Sequence, residues 1–275
     1  MVLPVGIIGA GKVGCSLGRY LREHEPMVRW VDFASATPAH AQEAAAFCGG
    51  HAFESAAELV RSNRLVFIAV PDDAIAGLAR ELADVCRKAG IDLADKVFAH
   101  CSGALASGVL APLRAAGAAV ASCHPLYAVS SRFECWEELA RAWFTLEGDG
   151  AAVELLEALL ASCGNRTAHI PAEQKTRYHA AAVMASNLVV GLYDLAASEL
   201  AACGFAPADA EAALAPLFLG NAEHIAADGV AASLTGPAAR GDTATIDAHL
   251  SCLCGDTKRV YQLLTRVLYS IAGQN

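Results

Sequence analysis

Charge is what this sequence has least of. Only 18% of its 275 residues are Asp, Glu, Lys or Arg, and acids outnumber bases by 29 to 20, for a net charge of −9. A chain so short of cations is poorly suited to neutralising a phosphate backbone, so nucleic acid is excluded as a partner. A cysteine framework is also missing. The ten cysteines are scattered, and Cys252-x-Cys254 is too tight and too solitary for a zinc ligand pair. No metal site is therefore expected, and scattered thiols point to a reducing, cytoplasmic compartment. The amino terminus is not read as a leader: its first apolar run contains Pro4 and glycines and follows no basic segment. The longest apolar stretch, residues 180–197, is broken by Ser186, Asn187 and Asp194. That reads as a buried core helix rather than a membrane span. No internal repeat or low-complexity linker is seen.

What is present starts at Val5-Gly6-Ile7-Ile8-Gly9-Ala10-Gly11-Lys12-Val13-Gly14. A short apolar run enters a Gly-x-Gly-x-x-Gly turn, and an amphipathic segment leaves it. Gly9 would permit the tight turn, Gly11 the approach of a pyrophosphate, and Gly14 close packing of helix on strand. The amides of Gly11, Lys12 and Val13, aided by the helix dipole, would hold the phosphates. A second strand, read as Val28 to Val31, would end in Asp32. That acid could bond an adenosine ribose and repel a 2′-phosphate, so the cofactor is read as NAD or NADP, with Asp32 favouring NAD.

Strand and helix signals alternate through the first 170 residues, which implies a parallel sheet with crossover helices. Leu65 to Val70 is a buried strand stopped by Pro71, and Asp72 or Asp73 would cap the next helix. Further strands are read at Lys96–His100, Ala118–Cys123, Trp143–Leu146 and Arg166–Ile170. Strand signals vanish near Pro171. One long helix is read over residues 173–203, followed by helices only. The expected architecture is α/β: a Rossmann-type dinucleotide-binding domain over 1–170 and an all-helical substrate and dimerisation domain over 171–275.

Ligands of open α/β sheets sit beyond the carboxyl ends of the strands. Those ends carry the glycine turn, Asp32, Val70-Pro71, His100-Cys101-Ser102 and His124. Val70, Pro71 and Ser102 are read as cofactor contacts and His124 as a substrate contact. Either Ser102 or His100 could position the nicotinamide, or each could be an ordinary turn or core residue. Cys101 is a poor candidate nucleophile, with no base placed for it by spacing. At about 100° per residue, Lys175, His179 and Ser186 fall on one apolar helix face with Asn187 at its edge. Burying such groups without partners is costly. Hydride addition to C=O or C=N needs a nearby proton donor or cation. Lys175, His179 and Asn187 are therefore the catalytic candidates, and Ser186 a substrate contact. In Thr235 to Thr243, Arg240 could clamp a carboxylate or pair with Asp242, the cap of the next helix.

With those segments in hand, the chain resembles the Rossmann-like proteins that carry a C-terminal domain of unknown function 2520. The matching stretches are Gly9 to Gly14, His100 to Ala104, Ser122 to Leu126, Tyr178 to Ala182 with Ser186-Asn187, and Leu234 to Asp242 with His249-Leu250. The resemblance implies two domains, a homodimer formed through the helical one, and kinship with ketopantoate reductases, pyrroline-5-carboxylate reductases and 3-hydroxyacid dehydrogenases. In those relatives a lysine or asparagine on the interdomain helix assists hydride transfer. Lys175 occupies the start of that helix here, but position 179 is His where the relatives' Lys-x-x-x-Asn spacing needs Asn. Relatives show Ser-Arg after strand two, against Asp32-Phe33 here. The expectation is an NAD(P)-dependent reductase of a small oxo or imino acid, ketopantoate-like substrates included. Alternatives are a dinucleotide-binding sensor or scaffold without turnover, and a deazaflavin-dependent reductase.

Overall fold

The computed structural model describes residues 2–273. It divides into two compact units, one ending at Ser186 and the other starting at Asn187. The first unit holds seven strands: β1 (Val5–Ile8), β2 (Val31–Ala34), β3 (Leu65–Ile68), β4 (Val97–His100), β5 (Ala119–Leu126), β6 (Trp143–Gly148) and β7 (Arg166–His169). They form one sheet in the order β2-β1-β3-β4-β5-β6-β7. The first five run parallel, β6 pairs antiparallel with β5, and β7 runs parallel to β6. Its helices are α1 (Lys12–His24), α2 (Pro38–Cys48), α3 (Ala56–Ser62), α4 (Asp72–Lys88), α5 (Ala111–Ala115), α6 (Gly150–Ser162) and α7 (Lys175–Met184).

Every residue of β1 to β4 is buried. Near-continuous apolar runs such as Leu65-Val66-Phe67-Ile68 are what a parallel strand covered on both faces requires. Adjacent residues point to opposite faces. Ile7 and Phe67 therefore join one core with Leu17, Phe33 and Phe144, while Ile8, Val66 and Ile68 join the other with Ile75, Leu82 and Phe98. The chain leaves β1 for β2 on one side and returns past β1 to β3 on the other. That reversal opens a crevice beyond the carboxyl ends of β1 and β3.

Five expectations change. Strand two begins at Val31, not Val28, because Val31 is the residue that pairs with Val5; Val28 closes a turn on the Glu25 carbonyl instead. Asp72 and Asp73 do not cap α4, whose N-cap is Pro71; both acids lie in its first turn. The long helix is interrupted at Ala185–Ser186, separating α7 from α8 (Asn187–Ala202). The unit boundary accordingly falls after Ser186 rather than near residue 170, since α7 is tied to β5 by Lys175 and Tyr178. Finally, the apolar stretch is not a buried core helix. Residues Ala172–Ala202 are long and apolar enough to cross a membrane, and only 6% of the most apolar window is buried.

The second unit is helical throughout: α8, α9 (Pro207–Asp228), α10 (Val230–Ser233), α11 (Gly236–Arg240), α12 (Thr243–Cys252) and α13 (Gly255–Ile271). Asp242 caps α12 as expected, accepting from the Thr245 amide at 3.1 Å and the Thr245 hydroxyl at 2.7 Å. A cavity of about 560 Å³ opens within this unit between Leu192, Leu200, Ile246, Tyr261 and Leu264.

Candidate active site

The glycine turn is open. Gly9 has φ +110°, and a Cβ there would overlap the Ala69 carbonyl, so β1 and β3 abut backbone to backbone at the crevice. Gly14 is equally confined, because its Cβ would overlap the Gly9 carbonyl oxygen. Gly11 is different: it is the N-cap of α1, exposed, with no side-chain cap, and a Cβ placed on it would meet nothing within 4 Å. The first amides of a helix lack internal partners. Here they face outward through Gly11, exposed Lys12 and half-buried Val13, the arrangement that accepts an anion. Val70 and Pro71 flank the turn at the end of β3, half-buried and exposed respectively.

Asp32 does not belong to this crevice edge. With β2 running to Ala34, Asp32 sits inside the strand opposite Gly6 and is 3% exposed. Its Oδ1 accepts from the His51 amide and Nδ1 at 2.9 and 3.1 Å, and its Oδ2 from Asn63 at 3.1 Å. The carboxylate stitches β2 to neighbouring loops and has no free face for a ribose. The residues that follow β2 are Ser35-Ala36, which removes the ground for preferring NAD. Asp32→Ala should lower stability by about 2 kcal/mol, since it strands buried donors. It should leave the ratio of NAD to NADP affinities within threefold. Thermal melts and calorimetric titration with both nucleotides check the two halves.

Two other strand-end residues prove internal. Ser102 donates to Asp72 Oδ2 at 2.7 Å and accepts from the amides of Ala104 and Leu105 at 3.2 and 3.1 Å, which uses the whole capacity of a hydroxyl. It shapes the loop after β4 rather than offering a hydroxyl to a cofactor. His100 is completely buried, and its Nδ1 accepts from the Ser102 amide at 3.2 Å. Burial, aided by the Lys175 charge, depresses it to about 4. Burial likewise lifts the Cys101 thiol to about 12, which rules out a thiolate nucleophile at neutral pH.

The carboxyl ends of β4 and β5 meet α7. Lys175 is 1% exposed, and its ammonium donates to Ser122 Oγ at 2.8 Å and to the Ser102 carbonyl at 3.4 Å. Burial lowers its pKa, and the nearby carboxylates of Glu147 and Asp72 work against that. Neither forms an ion pair with it within 4 Å. Glu147 is occupied by the Ser107 amide and hydroxyl at 2.6 and 2.7 Å, and Asp72 by Ser102. One helical turn on, the Tyr178 hydroxyl lies 2.7 Å from His124 Nδ1, with the rings edge to face. His179 stands edge-on to the same imidazole, with ring centroids 6.3 Å apart. His124 and Tyr178 are half-buried and His179 is no more enclosed, so all three are reachable from outside. Burial first, then the charges of Lys175, His179 and His100, hold His124 down to about 4.

Lys175, His179 and His124 are thus brought together in one unit. Helix α7 ends before Ser186, whose Oγ donates back to the Ala182 carbonyl at 2.8 Å. Asn187 opens the second unit, where Arg240 is exposed at the end of α11 and makes no ion pair within 4 Å among the described residues. Sequence reasoning passed over Tyr178 and Ser122. Tyr178 sits three residues after Lys175, a spacing that places side chains side by side on a helix. Nothing local marks Ser122.

Fold and crevice define the class: a Rossmann-like sheet domain followed by a helical domain. Residues 1–125 match the Rossmann-like domain, and residues 142–268 match the domain of unknown function 2520. The chain belongs to the proteins that join these two. Among curated proteins none matches it. Among solved structures it is similar to protein TM1727 of Thermotoga maritima, at 26% identity and TM-score 0.74 over 98% of both chains. It is also similar to protein BF3122 of Bacteroides fragilis, provisionally named an NADP oxidoreductase, at 24% and 0.75 over 98% of both chains. A third is Plasmodium falciparum pyrroline carboxylate reductase with NADP bound, at 11% and 0.60, again over 98% of both. At the latter two identities the likeness is one of fold.

Proposed function

We propose that this chain is a nicotinamide-dinucleotide-dependent reductase of a small oxo or imino acid. The observation that carries the reading is the presence, within one unit, of an unobstructed glycine turn after β1 and of a buried lysine beside reachable histidines at the ends of β4 and β5. The first suits a diphosphate. The second suits a reaction in which hydride adds to a polarised double bond and the charge pattern at the heteroatom changes. The oxidoreductase names of its structural neighbours support the same class. The dinucleotide, NAD or NADP, would lie along Gly9 to Gly14 with Val70 and Pro71 beside it. Here the chain's own part is to bind the diphosphate, orient the nicotinamide over the carboxyl ends of β4 and β5, and hold polar hydrogens there. Lys175, sealed beneath Ser122, contributes a fixed positive charge rather than direct contact. His179 and His124 are the groups that could meet substrate.

A homodimer is part of the reading. The second unit exposes Leu188, Val190, Leu217, Leu219, Val230 and Leu263, each more than half accessible. A surface so apolar is what a second copy would cover. Ten free thiols support a reducing, cytoplasmic compartment.

Calorimetric titration with NADH and NADPH tests the reading, and binding of one in the micromolar range is expected. Lys175→Met should keep that affinity within threefold and retain or raise stability, because an apolar side chain of similar volume replaces a buried charge. It should reduce turnover by about 100-fold or more, on the scale of lost electrostatic stabilisation. Absence of binding to either nucleotide would end the proposal.

A further inference from the structure

Oxo and imino acids ask opposite things of a reductase. Hydride addition to a carbonyl carbon drives the C=O electron pair onto oxygen, so negative charge grows there. An imine is reduced as its protonated cation, and the same step discharges a positive nitrogen. The first is helped by hydrogen-bond donors in a positive field, and the second is opposed by such a field. The groups around His124 have that character. Every neighbouring charge that acts on it is a cation or a group able to become one: Lys175, His179 and His100. The carboxylates of Glu147 and Asp72 stay anionic; they accept hydrogen bonds from Ser107 and Ser102 and act on Lys175 and His100 rather than on His124.

The hydrogen-bonding sense at His124 follows from elementary chemistry. A phenol is a stronger donor than a neutral imidazole N–H, and an imidazole nitrogen is a stronger acceptor than a phenol oxygen. Across the 2.7 Å contact, Tyr178 therefore donates to Nδ1. That fixes the neutral ring's remaining hydrogen on Nε2. Nε2 has no hydrogen bond to the described residues. It lies beside Gly103, where a Cβ would come within 2.9 Å of Nε2 and 2.7 Å of His179. The loop after β4 thus carries no side chain at the position that lies against this donor.

Building on the reductase reading, we propose that this site reduces a carbon–oxygen and not a carbon–nitrogen double bond, with His124 Nε2–H donating to the oxygen that becomes anionic. In that reaction a bound reduced nicotinamide would supply the hydride to the carbonyl carbon, the π pair would move to oxygen, and water would supply the proton that completes the alcohol. His124 keeps its own hydrogen throughout, as a neutral imidazole does when it polarises a carbonyl. Lys175 and Tyr178 are positioning residues, the one keeping the ring neutral and the other setting its tautomer.

The test uses the full chain with whichever nucleotide it binds, against matched panels of 2-oxo acids and cyclic imino acids at pH 7. The best 2-oxo acid should exceed the best imine by at least 100-fold in kcat/KM. His124→Ala should lose about 100- to 1,000-fold in kcat, as removal of one such donor does. His124→Gln, which restores an N–H donor but cannot shuttle a proton, should regain at least tenfold over the alanine variant. Nitrogen-15 spectra of the unliganded protein should show His124 as the Nε2–H tautomer at pH 7, and Tyr178→Phe should mix the two tautomers. Faster reduction of an imine, a glutamine variant no better than alanine, or an Nδ1–H tautomer in the parent each overturns the inference while leaving the reductase reading intact. No nucleotide binding, or binding with neither panel turned over, overturns both.

Discussion

Gly11→Ala and Gly14→Ala are expected to weaken dinucleotide binding alike while parting company in stability. At Gly11 an added Cβ meets nothing within 4 Å, and the backbone, at φ −84° and ψ −169°, is extended and open to any residue. The variant should therefore melt within a degree or two of the parent. Its methyl would nonetheless stand where the diphosphate must approach the helix amides. Losing that approach should weaken binding by about 100-fold, which is ~2.8 kcal/mol. At Gly14 the same methyl would overlap the Gly9 carbonyl and press on Ile7 Cγ2 at 3.2 Å and Ala69 Cβ at 3.3 Å. Helix α1 must move off β1, at a cost of about 1–3 kcal/mol typical of overpacking. Melting curves and nucleotide titrations on the two variants read both effects. Gly11→Ala binding nucleotide as tightly as the parent would remove the turn from the cofactor site.

That contrast follows how the molecule could be read from its residues. The turn and α1 were legible because their signals are local: an apolar run, glycines at fixed offsets and an amphipathic helix. The buried strands from β3 onward were legible for the same reason. The start of β2 was not, since Val28-Arg29-Trp30-Val31 has strand-like composition. Only pairing with Val5 decides that the ladder begins at Val31. The shift of three residues moved Asp32 from a ribose contact to an interior hydrogen-bond acceptor. The break after α7 carries neither glycine nor proline, so helix periodicity ran through it. Lys175 and His179 were legible as polar groups on an apolar stripe. The partner of Lys175 was not, because Ser122 lies 53 residues away along the chain, and neither was the Tyr178–His124 contact, which spans 54.

Mild acid should destabilise this protein well before its carboxylates begin to titrate. His100 and His124 are both held to about 4 in the fold, by burial above all and by Lys175 beside them; the unfolded chain offers each an ordinary value near 6.5. Between pH 6.5 and 4 the unfolded state therefore binds more protons than the native one, and stability falls as pH falls. Below about pH 4 both states are protonated and the loss from these two groups is complete. At ~1.4 kcal/mol per pH unit, each histidine removes on the order of 3 kcal/mol across that window. Two such groups would consume much of a typical stability of about 5–15 kcal/mol. Urea unfolding at pH 7, 6, 5 and 4.5 should show the midpoint dropping steadily, and His124→Gln should flatten the slope by about half. Lys175→Met should flatten it too, because removing the cation lets both imidazoles rise toward their ordinary value. A parent midpoint unchanged from pH 6.5 to 4.5 would mean that the fold does not hold these rings below their ordinary value, so that they charge in step with the unfolded chain.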